Sequence, residues 1–373
     1  MKKRTKNIIF IIIGIIFLLL LFRAIYGNFN FEKDKQKFTE LISKAGNGNV
    51  VNVLDELKEL ENLKNPIINW KYQSWKKKMH TRFVSKNEII ENSSGNKVIN
   101  DISNIYRAYW RTELLNKNPK NRTDTELYIA LTNYIISNHL TSLSKDSLSK
   151  NIKDDSELKK IIEAQGFQAD FKFRNGFQEL FIWNNETIKD YEVTLPKDTI
   201  NTKVIFIKEF HLTGYDHYAT CGNTQVGGWA IKESATLFCN SGYDLSSEKF
   251  KVSYLKHESL HFTDLNEYPN LSSADLEYRA KVIEFMYCTE ETIYDRVSEF
   301  ITGANNSDRS YSHPYANYIL INNLSKLLFN SEYESDLNKW SQISVEEINR
   351  AATALYNDSE NTLQKDKKVA KII

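Results

Sequence analysis

Apolar residues recur along the chain with three different spacings, and each predicts a different kind of structure. Residues 8–22, IIFIIIGIIFLLLLF, are apolar without interruption. The run falls short of the roughly 20 residues a membrane-spanning helix needs, but it reaches that length once Ala24, Ile25 and Tyr26 are added and Arg23 snorkels to the interface. From Phe31 to about residue 165 the spacing is helical. Val50, Val53, Leu54, Leu57 and Leu60 recur on one face, and residues 101–115 and 124–140 repeat the pattern. These stripes predict the core of a helical subdomain.

Near residue 166 the period shortens. Phe171 and Phe173, then Arg174-Asn175-Gly176, then Phe177 to Trp183 read as a strand, a tight turn and a second strand. Residues 191–195, 203–210 and 227–241 are each expected to form one further strand. Helical spacing returns from about Phe250 to about Leu328, and Ser344 with Glu347 opens a last helix through a capping box. The charged segment from Gln364 is expected to fray. There is no internal repeat. The pattern predicts an α+β protein: an N-terminal segment over 1–27, a helical subdomain over 28–165, and a part over 166–373 with a small mixed sheet and a helical C-terminal region.

Charge and composition narrow the possible functions. The 373 residues carry 49 Lys+Arg against 48 Asp+Glu, a net charge of +1, which excludes the basic footprint of a nucleic-acid binder. With 13 Gly and 5 Pro, collagen-like and Pro-rich classes are out as well. The neutral average hides a basic tail, Lys2, Lys3, Arg4 and Lys6, ahead of the apolar run. Such a tail stays on the cytoplasmic side, so a single-pass membrane protein held by a signal anchor is expected, with its body from residue 28 outside the cytoplasm. The alternative is secretion after cleavage near Gly27, for which Tyr26 is a poor last residue. In that compartment Cys221 and Cys239 can bridge and leave Cys288 odd, or all three can stay as buried thiols.

The chemistry is concentrated in His257-Glu258-Ser259-Leu260-His261. On a helix, residues four apart share a face, so both imidazoles reach one metal ion and Glu258 sits beside it as a general base. Two neutral imidazoles suit zinc, and a catalytic zinc needs a third protein ligand and an open position for water. No HxxGxxH continuation follows, which argues against the metzincin pattern. Residues 272–284 instead open a second helix, with Ser272 or Ser273 as its cap and Glu277 sixteen positions after His261. Glu284, a further seven positions on along the same face, and Asp275 are the alternatives for the third ligand. Asp264 either orients an imidazole or is a solvated or capping residue.

In His257-to-Glu284 the chain resembles the gluzincin group of zinc metallopeptidases, in which a Glu on the helix after HExxH completes the zinc site. The spacing is a few residues shorter than in thermolysin-like enzymes, and Leu276 stands where those have an Asn before the ligand Glu. The resemblance implies a zincin-like catalytic part with an active-site helix. It also implies one Zn2+ per chain held by His257, His261 and Glu277, with Glu258 as base and proton shuttle, acting on a peptide or protein substrate. It further implies an edge strand before the metal helix, where Trp229, Ala230 and Ile231 would line the cleft. A Tyr or His downstream stabilises the oxyanion in such enzymes. His313 is taken here for that role, with Tyr311, Tyr315, His217 and Tyr218 as the other candidates. The competing reading is a non-catalytic surface binding protein on a zincin scaffold.

Overall fold

Side-chain caps start three of the N-terminal helices, at Asn65, Asn96 and Ser144. The computed structural model describes residues 30–90, 94–118, 122–224, 228–231, 235–240, 242–289 and 291–373. Helix α1 spans Phe31–Gly46, α2 Val50–Glu59 and α3 Pro66–Met79, which runs on through a wider turn to Val84. Asn65 caps α3 by accepting from the backbone N–H of Ile67 and Ile68 at 3.0 and 3.1 Å, with Pro66 at the first helical position. Asn96 does the same for α4, Lys97–Leu114. Helices α5 (Thr125–Ser137), α6 (Lys145–Asn151) and α7 (Ser156–Ala164) complete the helical region. Val50, Val53 and Leu57 are buried as their spacing predicts, in a core that also holds Trp75, Trp110 and Leu131.

The fold is α+β. Strands β1 (Gln168–Arg174) and β2 (Phe177–Thr194) form the hairpin, with Asn175 and Gly176 both in the left-handed region at φ 54° and 79°. Strand β2 is longer than expected, because residues 184–190 are exposed and carry no buried alternation to announce them. Strand β3 likewise runs over Thr199–Thr213, followed by the short helix α8, Gly214–Ala219. Residues 227–241 are not one strand. They split into β4 (Gly228–Ile231) and β5 (Thr236–Asn240), antiparallel to each other, with Gly228 opposite Cys239 and Ile231 opposite Thr236. Strand β5 pairs with β3 in parallel, Val204 opposite Leu237, and the strand order is β1-β2-β3-β5-β4. Gly228 has no room for a side chain, since a Cβ there would come within 2.3 Å of the Phe238 carbonyl oxygen.

Two compact units result. One takes residues up to Asn185 with Lys208–Val226, and the other takes Glu186–Ile207 with Gly227–Ile373. In the second unit a π-helical segment, Lys249–Lys256, leads into α9, His257–Glu267. Helices α10 (Ser273–Tyr287), α11 (Ile293–Thr302), α12 (Ser312–Phe329), α13 (Leu337–Trp340) and α14 (Val345–Lys365) follow. The Ser344 and Glu347 capping box of α14 is present. All three cysteines are buried free thiols.

Two expectations are corrected. Among the described residues no helix is long and apolar enough to cross a membrane. Even the 21-residue α14 carries Glu346, Glu347, Arg350, Asp358, Glu360 and Lys365. The expectation of a signal anchor and a single-pass membrane protein is corrected accordingly; residues 8–26, on which it rested, lie outside the described residues. Nor is the segment after Gln364 frayed. Val369 and Ile372 pack against Tyr268, Leu271 and Leu363, and the backbone N–H groups of Ile372 and Ile373 donate to Asp275.

Glu360 on α14 makes the second unit sensitive to acid. Burial disfavours its charge, but hydrogen bonds from Gln364 (2.8 Å), Lys197 (2.6 Å) and Tyr268 (2.6 Å), with Arg279 nearby, outweigh that and bring its pKa from 4.5 to about 2. A depressed carboxylate contributes stability that is complete above the unfolded value and is lost as pH falls toward the folded one. The urea midpoint of wild type should therefore exceed that of Glu360→Gln at pH 5.5, and the gap should close between pH 4.5 and 2.

Candidate metal centre

The two imidazoles of the HExxH segment come together because α9 is helical from its first residue. The ring centroids of His257 and His261 lie 5.0 Å apart, edge to face. Helix α9 is tied down on both sides. Ser259 shares a 3.0 Å hydrogen bond with Thr202 of β3, and Lys256 donates to the Thr194 carbonyl with its ammonium over the Tyr287 ring.

Helix α10 brings Glu277 against both rings. Its Oε2 is 3.4 Å from His257 Nε2 and its Oε1 is 3.5 Å from His261 Nε2. One donor atom from each of the three residues lies within 4.8 Å of the others, a group that can hold a metal ion. Ligands at about 2.1 Å from a tetrahedral zinc stand about 3.4 Å from one another, and each imidazole nitrogen lies about that far from one Glu277 oxygen, though not from the same one. Nitrogen, nitrogen and carboxylate oxygen are also the ligand types zinc takes.

Charge around the rings favours a cation. Burial alone would lower the pKa of His257, but the Glu277 and Glu284 carboxylates outweigh it and raise it to about 10. Burial opposes the charge of Glu277 too, yet the imidazoles of His257, His261 and His313 hold its carboxyl well below the usual range. Glu284 lies outside this group. Its Oε1 sits 2.8 Å from His257 Nδ1, on the far side of the ring from Glu277, and its Oε2 is 3.4 Å from Arg296 Nε of α11. A carboxylate there fixes the ring and directs Nε2 toward Glu277. Asp275 is remote from the imidazoles in its bonding, as its partners are Ser272, Arg309 and the backbone of Ile372 and Ile373. Asp264 orients neither imidazole through a hydrogen bond, because Arg279 occupies both its oxygens at 2.7 and 2.9 Å.

Glu258 is half-buried and makes no hydrogen bond or ion pair among the described residues. Its carboxylate is left available, close enough to Cys239 and Tyr254 to add to the upward push that burial gives both, Cys239 reaching about 12. His313, in the first turn of α12, joins the cluster: its Nδ1 is 2.9 Å from Glu277 Oε2 while the side chain stays 65% exposed. Tyr311 is exposed, and Tyr315 lies under the Arg309 guanidinium at 5.5 Å. His217 and Tyr218 belong to the first unit, where Thr224 and Arg111 engage them. Trp229 is buried, stacked on Phe238 at 4.8 Å, whereas Ala230 and Ile231 are half-exposed on the edge strand β4.

Sequence reasoning missed the part of Arg296, and it placed Glu284 on the same face without seeing its partner. The seven-residue step from Glu277 to Glu284, two helical turns, was the available signal for the latter. No family model matches the chain, and no curated protein or solved structure matches it either.

If Glu284 orients His257, Glu284→Gln should weaken zinc binding about 10- to 100-fold, as loss of an outer carboxylate does. Competition with a chromophoric chelator measures this. His257→Ala and Glu277→Ala should remove tight binding altogether.

Proposed function

We propose that the chain is a zinc-dependent peptide hydrolase of gluzincin type, with a zincin-like second unit. The observation that carries this reading is the convergence of His257 Nε2 and His261 Nε2 on the two oxygens of Glu277 at 3.4 and 3.5 Å, with Glu258, next to His257 in the chain, unengaged. His257, His261 and Glu277 would hold the ion. A zinc ion held there would supply a water of pKa near 7 and a Lewis acid for the scissile carbonyl. Glu258 takes the proton at its carboxylate and passes it to the leaving amine. Glu284 keeps the His257 ring in register through Nδ1. His313 lies against Glu277 on the exposed side, where an oxyanion donor is needed. Strand β4 at the sheet edge pairs on one side only among the described residues, which suits an extended peptide adding a strand.

One feature favours the rival reading, a binding protein on the same scaffold. His313 Nδ1 already lies 2.9 Å from Glu277 Oε2, so one nitrogen of the oxyanion candidate faces the site's own carboxylate. Turnover separates the two readings. Glu258→Gln should retain zinc and lose at least about 100-fold in turnover of a peptide library, while Glu277→Ala should lose both. Less than about half a zinc per purified chain, or a fully active Glu258→Gln, ends the hydrolase reading.

A further inference from the structure

Two residues before Glu277, the same helix carries a contact that the hydrolase reading does not use. Asp275 has no accessible surface, yet it gathers donors from three parts of the chain. The backbone N–H groups of Ile372 and Ile373 donate to its Oδ1 at 2.8 and 3.1 Å, and the Ser272 hydroxyl and the Arg309 guanidinium donate to its Oδ2. Arg309 also donates to Ser272 Oγ at 2.9 Å and to the main-chain oxygen of Ile373, and it covers the Tyr315 ring. The Ser272 N–H donates to the Ala370 carbonyl at 3.0 Å, so segment 366–373 lies along the start of α10. Val369 and Ile372 pack there beside Leu276. One buried carboxylate thereby joins the first turn of α10, the approach to α12 and segment 366–373.

The geometry couples this junction to the metal centre. Glu277 follows Asp275 by two residues and His313 follows Arg309 by four, and Glu277 and His313 meet at 2.9 Å. The two links between the helix starts are unequal. Arg309 with Asp275 is a part-buried ion pair, its carboxylate fully enclosed and its arginine side chain 22% exposed, and bonds to Ser272 and Ile373 brace it, so it is costly to break. His313 with Glu277 is a single contact from a solvent-exposed ring, which holds weakly. The strong link therefore decides whether the weak one forms.

We propose that Asp275 and Arg309 are positioning residues for the metal centre: clamped by segment 366–373, they hold the start of α12 against α10 and so deliver His313 to Glu277. The inference rests on the reading of His257, His261 and Glu277 as a metal site. Detaching segment 366–373 removes both backbone donors from Asp275 and loosens His313 without touching any ligand. The segment is a handle on the site from outside it.

The test uses the full chain loaded with Zn2+ or Co2+, comparing wild type, Arg309→Gln, Arg309→Lys, His313→Ala, the Arg309→Gln/His313→Ala double variant and a deletion of 366–373. Arg309→Gln and the deletion should weaken zinc binding about ten-fold and shift the visible cobalt spectrum in the same direction as His313→Ala. The double variant should bind zinc no more weakly than His313→Ala alone, and Arg309→Lys should restore part of the loss. A merely structural clamp would lower the melting temperature but leave metal affinity and spectrum unchanged, or its effect would add fully to that of His313→Ala. Either outcome overturns the proposal, and Arg309→Gln decides it if the deletion fails to fold. Wild type that binds neither metal overturns the metal-site reading and the clamp with it, whereas normal binding unaffected by these variants overturns the clamp alone.

Discussion

The second unit depends on keeping ionised side chains buried on one helix. Helix α10 buries Asp275, Arg279, Lys281 and Glu284 beside its apolar residues and half-buries Glu277 between two imidazoles. A buried charge without a partner costs several kcal/mol, on the order of 3–5 for one half of a broken pair. Each of these residues therefore draws a counter-group from another element. Asp275 takes Arg309 and segment 366–373, and Glu277 takes α9 and His313. Arg279 takes Asp264 and Glu360, Glu284 takes His257 and Arg296, and the Lys281 ammonium lies 4.5 Å from the centre of the Phe300 ring. The charges of α10 specify how α9, α11, α12 and α14 sit around it.

This arrangement divides the centre into a rigid side and an open side. His257 is held at both nitrogens by carboxylates, and α9 is pinned to β3 through Ser259 and Thr202. Glu258 and His313 carry no comparable bracing: one has no partner among the described residues and the other is mostly exposed. Ligands need a fixed geometry, whereas groups that move protons or meet a substrate need access.

Much of the fold was legible from periodicity. The helical stripes around Val50 and Leu131, the Asn175-Gly176 hairpin and the capping box at Ser344 are local signals, and local physics produces them. The misses share a cause. Residues 227–241 read as one strand because both arms of the β4-β5 hairpin are apolar, and β2 read as broken because its exposed middle buries nothing. Segment 366–373 read as loose because its four Lys and Asp residues outnumber the three apolar side chains that dock, Val369, Ile372 and Ile373.

For the site, the HExxH spacing determined that His257 and His261 share a face, and the step to the next helix singled out Glu277. Both follow from helical geometry over short separations. Which carboxylate bonds the outer nitrogen of His257, why Asp264 and Asp275 are spent elsewhere, and how His313 comes to rest on Glu277 were decided only in three dimensions. Those pairings join residues 15 to 98 positions apart in the chain. They are selected by the cost of burying an unpaired charge, which no local pattern in the sequence records.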